Sequence, residues 1–154
     1  MRKGNEGEIN MNSVISATTN EVYGARVRQS KRDQFLETAD GCLTYAYERF
    51  EEGAYDEAME YAYRAALRTA GAVCFDSPVI QNRKRLPSSA WKKLALTGKG
   101  GERWANVFES FSRERGRVAS GIEHMPPADR VAQLLEQAEQ FYLEALPAGN
   151  GVAA

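Results

Sequence analysis

Residues 53–74 have the sequence GAYDEAMEYAYRAALRTAGAVC, and this stretch decides the fold. Its apolar and small residues recur three and four positions apart, which is the spacing of one face of an α-helix. This stripe consists of Tyr55, Ala58, Met59, Ala62, Ala65, Ala66, Thr69 and Val73. The pattern predicts a helix that begins after Gly53 and ends near Cys74.

A second helix is predicted immediately before Gly53, starting at about Lys31. Its apolar stripe consists of Phe35, Ala39, Cys42 or Leu43, Ala46 and Phe50. Gly53 separates the two helices, and alanine side chains allow helix axes to approach closely. We therefore expect residues 31–74 to form a tight antiparallel hairpin.

The chain after Cys74 changes character. Residues 75–88 are predicted to form a loop, because two prolines remove backbone donors and a run of three basic residues offers no apolar face. Ser88 or Ser89 is predicted to cap a short helix over residues 90–96, and Gly98 is predicted to stop it.

Two further long helices complete the predicted fold. One follows Gly100-Gly101, and its apolar seam consists of Trp104, Phe108, Phe111, Val118 and Ile122. Arg115 falls on that seam, where an arginine is usually near the helix end, snorkelling or ion-paired; the alternative is that it points into a functional cleft. The last helix begins at Pro126-Pro127, and its inward residues are Val131, Leu134, Leu135, Ala138, Phe141, Tyr142 and Ala145.

The predicted architecture is an all-α, up-and-down helical bundle of four main helices plus one short helix. We expect residues 31–147 to form this single domain. Residues 1–30 are polar and lack a sustained period, which predicts a flexible N-terminal tail. Residues 148–154, which follow Pro147 and are mostly small, are predicted to be a flexible C-terminal tail.

The composition limits the function. The chain has 154 residues, of which 43% are hydrophobic and 27% charged, as expected for one globular domain with a tail. It has neither an apolar run of about 18 residues nor a signal sequence, so we expect a cytoplasmic protein without a membrane partner. Two cysteines and one histidine cannot assemble a zinc site from Cys and His alone, and we expect no metal or other cofactor.

The charge is unevenly distributed. The net charge is -1, but residues 83–117 carry ten Lys and Arg against three Asp and Glu. This basic block can bind phosphate or nucleic acid, or it can face the acidic segments on either side of it. The candidate nucleic-acid-binding residues are Arg83, Lys84, Arg85, Lys92, Lys93, Arg113 and Arg115.

Arg117 and His124, the only histidine, are the candidate catalytic residues. They are seven positions apart and would lie on one face if the helix continued to His124. Such a pair suits RNA cleavage, because the imidazole can act as general acid or base while the guanidinium stabilises charge on the phosphate. The alternative is that His124 simply caps the C-terminus of a helix.

A non-catalytic interaction module is the competing interpretation. The turn that begins at Gly53 resembles one turn of a tetratricopeptide repeat, although the match occurs once. Four tyrosines that we expect to be exposed crowd onto the first hairpin and could form a tyrosine-rich face that binds a protein: Tyr45, Tyr47, Tyr61 and Tyr63. Salt dependence separates the two functions, since phosphate binding weakens with salt and an apolar interface changes little.

The order of these elements resembles a known family. An alanine-rich hairpin, a Pro/Arg-rich loop, Ser89-Ala90-Trp91 at the start of a short helix and a long helix from Trp104 to Arg117 precede a final Pro-initiated helix. Over about residues 33–146, this order is similar to an actinobacterial branch of the HEPN superfamily (higher eukaryotes and prokaryotes nucleotide-binding domains), which are α-helical bundles.

The resemblance implies a function as well as a fold. Many HEPN domains are metal-independent ribonucleases with an arginine, four to six intervening residues and a histidine, and the site is completed across a homodimer. Arg117 and His124, with six residues between them, match this motif at its upper limit. Other HEPN domains bind RNA or nucleotides without catalysis. The resemblance thus implies an RNA or nucleotide ligand, a homodimer and, if the chain is an enzyme, an endoribonuclease.

Overall fold

The computed structural model describes residues 17–147, which form six α-helices and contain no strand. The helices are α1 (Ala17–Glu51), α2 (Tyr55–Asp76), α3 (Pro78–Asn82), α4 (Ala90–Ala95), α5 (Lys99–Ala119) and α6 (Ala128–Ala145). The chain divides into two compact units between Lys31 and Arg32, and the bundle belongs to the second unit. The predicted all-α fold is confirmed.

The part of α1 from Arg32 onward forms an antiparallel hairpin with α2. At the open end, Arg32 Nε lies 3.2 Å from the carboxylate of Asp76. In the middle, the rings of Tyr45 and Tyr61 meet edge to face at 4.5 Å between centroids. Gly53 has φ +81°, a conformation that side chains disfavour, and it ends the helix so that the chain can reverse.

The second helix of the hairpin, α2, is the centre of the bundle. It packs against α3, α4, α5 and α6. Its buried residues are mostly small, and they are Ala58, Met59, Ala62, Tyr63, Ala65, Ala66, Thr69, Ala70 and Ala72. Because alanines cover several sides of α2, neighbouring helices can approach it from more than one direction.

Larger side chains from the other helices fill the remaining core. The Trp104 ring stacks on the rings of Phe108 and Phe141, and the Trp91 ring stacks on Phe108. These four aromatic residues join α4, α5 and α6 in one cluster. The Trp91 indole also donates a 2.7 Å hydrogen bond to the buried Tyr63 hydroxyl, which connects the cluster to α2.

Two helix boundaries differ from the sequence predictions in the first half of the chain. The first helix begins at Ala17 rather than at Lys31, because residues 17–30 contain no proline to prevent a helix although they lack an apolar period. Residues 1–16 of the predicted N-terminal tail, and the predicted tail 148–154, lie outside the described residues. The short helix α3 lies inside the predicted loop, since Pro78 occupies a first-turn position where no donor is needed.

Two further differences concern α5. It begins at Lys99 and includes Gly100 and Gly101, which were expected to precede it. It ends at Ala119, so Ile122 is not on its apolar seam and is 63% exposed. The predicted cap of α4 is confirmed, with the Ser89 hydroxyl accepting a hydrogen bond from the Lys92 backbone N–H.

Candidate functional site

The exposed face of α5 carries two of the candidate arginines. The helix buries Trp104, Phe108 and Phe111 against the core. Arg113 and Arg117 are both exposed, and residues four positions apart on a helix are neighbours. The structure therefore brings these two guanidinium groups to the same side of the last turns of α5.

The turn after α5 determines where His124 lies. Gly121 has φ +84°, and the backbone N–H groups of Ile122 and Glu123 both donate to the Arg117 carbonyl oxygen, at 2.9 and 3.1 Å. The Glu123 carboxylate lies 3.6 Å from Arg117 Nε. His124 is exposed and follows this turn, so it does not share a helix face with Arg117. A shared face required the helix to continue to His124, and that condition is not met, because the helix ends at Ala119 and the chain folds back at Gly121.

Arg115 is engaged by a carboxylate from another helix. Its Nε and Nη2 donate to the two carboxylate oxygens of Glu60 at 2.9 and 2.8 Å, and its guanidinium lies 5.3 Å from the centroid of the Tyr63 ring. Arg64 Nε donates to the same carboxylate at 2.8 Å. The Arg115 hydrogen bonds are the main cause that holds the pKa of Glu60 below its usual range.

This ion cluster lines a cleft of about 440 Å³ between the start of α2 and the end of α5. Its polar lining includes Asp56, Glu57, Glu60, Tyr61, Arg64 and Arg115. Val118 adds apolar surface, whereas Met59, which also borders the cleft, is 1% exposed. Arg115 is therefore ion-paired with Glu60 and also lines a cleft. The ion-pair and the cleft interpretations of its position on the apolar seam both apply.

Nine of the ten Lys and Arg residues of the basic block divide into two groups. Three of its arginines pair with acidic residues outside the block: Arg103 with Glu144, Arg115 with Glu60 and Arg117 with Glu123. The remaining predicted binding residues make no salt bridge with residues 24, 26, 27 and 31–147, whose side chains the structure describes, and they are Arg83, Lys84, Arg85, Lys92, Lys93 and Arg113. All six are at least partly exposed. We call them the basic set.

A comparison with known protein families matches residues 51–145 to the family model described as HEPN_SAV_6107-like HEPN. The chain belongs to the HEPN family. The match extends from the end of α1 through most of α6, and it contains the basic set, Arg117 and His124. The resemblance drawn from helix order is thereby confirmed. No curated protein and no solved structure matches this HEPN chain.

The hairpin tyrosines of this HEPN domain are engaged within the chain. Tyr63 is buried, so the expectation that it is exposed is wrong. Tyr45 and Tyr61 contact each other, and the Tyr47 hydroxyl donates to Glu139 of α6 at 2.5 Å. Burial and this hydrogen bond raise the pKa of Tyr47 above its usual range. These contacts explain how the tyrosines stabilise the bundle.

The remaining reactive groups of the HEPN domain have ordinary surroundings. Cys42 and Cys74 are free thiols, and burial raises the pKa of each above its usual value, which disfavours the nucleophilic thiolate. Within the described residues, no group of three or more His, Cys, Asp and Glu side chains is arranged to hold a metal ion. No helix in that part of the chain is long and apolar enough to span a membrane.

Sequence reasoning missed Glu60, Arg64 and Asp56 as members of the cleft. Glu60 and Arg64 have the four-residue spacing of an ordinary helix ion pair, which gives no sign of a third partner. The usable signal was Arg115 on an apolar seam, because a charge there requires a partner on a facing helix. The helix pairing that selects Glu60 depends on tertiary structure.

Proposed function

We propose that this HEPN domain binds RNA or a nucleotide through the basic set, acts as a homodimer and works in the cytoplasm. The observation that carries the proposal is that these six basic side chains lack an acidic partner among the side chains that the structure describes, which are those of residues 24, 26, 27 and 31–147. Phosphate groups are the natural ligands of such residues, because Lys and Arg donate charge-assisted hydrogen bonds to phosphate oxygens. Membership of a family with nucleotide-binding members supports the same ligand class.

A cleavage activity is the finer part of the proposal. Arg117 would stabilise charge on the phosphate, and His124 would act as the acid or base toward the 2′-hydroxyl. Both side chains are exposed, and the turn that returns the chain to the Arg117 carbonyl is compatible with their acting on one ligand. The motif spacing and the family match support this assignment.

Charge reversal tests the binding proposal. We expect R83E/K84E/R85E to weaken binding of single-stranded RNA and to reduce the slope of log K against log salt by about 2, since each lost phosphate contact contributes about 0.7. The matched control is R26E/K31E/R68E, which changes the net charge equally at exposed positions outside the block. Equal loss of binding in both triple variants would show only a general charge effect and would contradict the proposal.

An RNA cleavage assay in EDTA tests the catalytic part. We expect H124A and R117A to abolish cleavage while their melting temperatures stay close to that of the original chain, because both side chains are exposed. Cleavage that persists in H124A removes His124 from the mechanism. Salt-sensitive binding without any cleavage leaves a non-catalytic RNA-binding domain.

A protein partner on the tyrosine-rich face is the second candidate function. Tyr45 and Tyr47 remain 37% and 36% exposed despite their internal contacts, which leaves apolar area for an interface. Binding of a protein that is insensitive to salt and is lost in Y45A would support this function. Binding that weakens steeply with salt would assign the partner to the basic set instead.

A further inference from the structure

We infer that Ser88 is a phosphorylation site for an arginine-directed serine kinase, and that its phosphate closes the basic set to RNA. The first part concerns residues 83–88 alone, whereas the second part rests on the proposed function. Three features of this segment support the assignment: the spacing of its arginines from the serine, its exposure outside the helices, and the lack of acidic partners for its arginines.

The pattern Arg-x-Arg-x-x-Ser occurs twice in the chain, at residues 83–88 and at residues 115–120. Kinases use patterns of charge around the acceptor residue to select their substrates. Carboxylates in the substrate groove of a kinase can hold arginines at fixed positions before the serine, because guanidinium and carboxylate groups form paired hydrogen bonds. The two segments therefore offer the same arginine spacing to such a kinase, and they differ in conformation and in ion pairing.

The backbone of the first segment is available for binding. It connects α3 to α4, and all its residues are exposed except Pro87, which is half-buried. In the part of the chain that the structure describes, residues 84–88 form no backbone–backbone hydrogen bond, and the Ser88 hydroxyl has no hydrogen-bond partner. Pro87 also disfavours a helical conformation at Leu86. A kinase can therefore bind this segment in an extended conformation without unwinding a helix.

The arginines of the first segment are available as well. Arg83 and Arg85 form no salt bridge with any residue whose side chain the structure describes. Arg83 Nε donates a 3.3 Å hydrogen bond to the Arg85 carbonyl oxygen, which leaves its other N–H groups for an external acceptor. Both guanidinium groups can thus pair with carboxylates of a kinase.

The second segment has the same arginine spacing in a helical and ion-paired setting. It forms the end of α5, with Ser120 as the C-cap. Arg115 donates two hydrogen bonds to Glu60, and Arg117 Nε lies 3.6 Å from the carboxylate of Glu123. The Ser120 hydroxyl donates to the Arg117 carbonyl oxygen at 3.2 Å. Ser120 is therefore an internal control for Ser88.

The modification is a phosphoryl transfer from ATP. The Ser88 oxygen forms a bond to the γ-phosphorus while the bond between that phosphorus and the oxygen bridging to ADP breaks. ADP leaves with the electron pair, and the serine proton passes to the catalytic aspartate of the kinase. The new phosphate carries a charge of about −1.5 to −2 at pH 7, close in sequence to three positive side chains at 83–85. It accepts hydrogen bonds from donors that would otherwise bind RNA.

Phosphorylation of the full chain tests the site, with ATP and a purified serine kinase that selects arginines three and five residues before its serine. Free peptides of residues 81–91 and 113–123 are the controls for recognition, and we expect the kinase to modify both. In the folded chain, mass spectrometry should find phosphate on Ser88 and not on Ser120.

Substitutions in the full chain separate recognition of this segment from a general charge effect. S88A should lose the incorporated phosphate. R85Q should lower the rate of incorporation about tenfold, because it removes a charged hydrogen-bonding group. R68Q is the matched control, since Arg68 is exposed on α2 and distant in sequence, and it should leave the rate unchanged. Three outcomes would overturn the site: no phosphate on the folded chain, equal modification of Ser88 and Ser120, or equal effects of R85Q and R68Q.

RNA binding by the phosphorylated chain tests the second part. We expect the slope of log K against log salt to fall by about 1, since the phosphate offsets about 1.5–2 charges and each phosphate contact contributes about 0.7. S88A treated with the same kinase should bind RNA like the untreated chain. If R83E/K84E/R85E weakens RNA binding and phosphorylation does not, the regulatory part is wrong. If the triple variant binds RNA normally, the proposed function fails, and phosphate on Ser88 still supports the modification site.

Discussion

At the scale of single residues, Glu60 joins two arginines that lie on different helices. It accepts hydrogen bonds from Arg64 on its own helix and from Arg115 on α5. Removing its charge would leave two guanidinium groups facing each other across the cleft. The same substitution therefore affects both the stability of the fold and the arrangement of the cleft.

We predict that E60Q lowers the free energy of unfolding at pH 7 by about 1–2 kcal/mol, a range between those of exposed and buried ion pairs. The pKa of Glu60 is lowered in the folded state, chiefly by the Arg115 hydrogen bonds. Its contribution is thus present above the usual carboxyl pKa and is lost as the pH falls through the lower folded value. Urea unfolding at several pH values below 7 should show the gap between E60Q and the original chain closing with acidification.

The control for this pH dependence is E109Q, which removes an exposed carboxylate that forms no salt bridge with a described residue. A gap that stays constant from pH 7 into the acid range would contradict the assignment of the stabilisation to the ionised Glu60. So would an E109Q variant that behaves like E60Q.

The site was partly predictable at this scale. Arg115 stands out in the sequence because it interrupts an apolar seam, and the structure gives it an ion-pair partner. Arg117 and His124 were recognised by their spacing, but the positive φ of Gly121 breaks the helix between them. Many glycines lie inside helices, and Gly100 and Gly101 do so here. Sequence alone therefore does not distinguish a helical glycine from one that reverses the chain.

At the scale of elements, the close approach of α4 and α5 depends on Gly101. A Cβ atom at Gly101 would overlap the Leu94 carbonyl oxygen and the Thr97 hydroxyl. Gly98 precedes α5 with φ +139°, which lets the chain reverse within a few residues. This close approach places Trp91 of α4 and Phe108 of α5 in stacking contact.

We predict opposite effects for two neighbouring glycine substitutions. G101A should destabilise the domain by about 1–3 kcal/mol, because the new methyl group forces α4 away from α5. G100A should be neutral or stabilising by up to about 1 kcal/mol, because a Cβ atom at Gly100 would meet nothing within 4 Å and alanine favours the helix. Thermal unfolding of both variants checks the pair, and G100A as damaging as G101A would contradict the packing explanation.

Apolar periodicity predicted the long helices. The short helix α4 was predicted from its serine cap instead, and the short helix α3 was not predicted. Most residues of the stripes predicted for α2 and α6 are buried, with Leu134 and Leu135 almost fully inaccessible. Tyr55, Val73, Tyr142 and Ala145 are half-buried. The five-residue helix α3 has no apolar period to detect, and its buried cap Ser77 is visible only once the chain is folded. Apolar periodicity reports burial on one face, so it works for helices that pack along several turns.

At the scale of the whole molecule, the basic side chains differ in whether an acidic side chain already binds them. The basic block has two kinds of arginine, those that bind acidic partners on other segments and those of the basic set that do not. Sequence counts revealed the block but could not divide it, because salt bridges depend on which helices pack together. That division is the reason for testing Arg83, Lys84 and Arg85 before the other arginines.

We predict that a chain of residues 31–147 folds on its own. The bundle helices pack within the unit that begins at Arg32, and the Arg32–Asp76 ion pair is retained in this shorter chain. Its melting temperature should lie within about 4 °C of that of the full chain, a shift of less than about 1 kcal/mol for a domain of this size. Circular dichroism on heating provides the measurement. A broad, non-cooperative transition would contradict the predicted domain boundary.

The aromatic cluster in the core also gives the protein its own optical reporter. Trp91 and Trp104 are the two tryptophans of the chain, and both are buried. Their indole N–H groups donate hydrogen bonds to different acceptors, Trp91 to the Tyr63 hydroxyl and Trp104 to the Glu144 carboxylate. Fluorescence emission should therefore shift to longer wavelength only when the junction of α4, α5 and α6 opens to water. Unfolding can thus be followed without a dye.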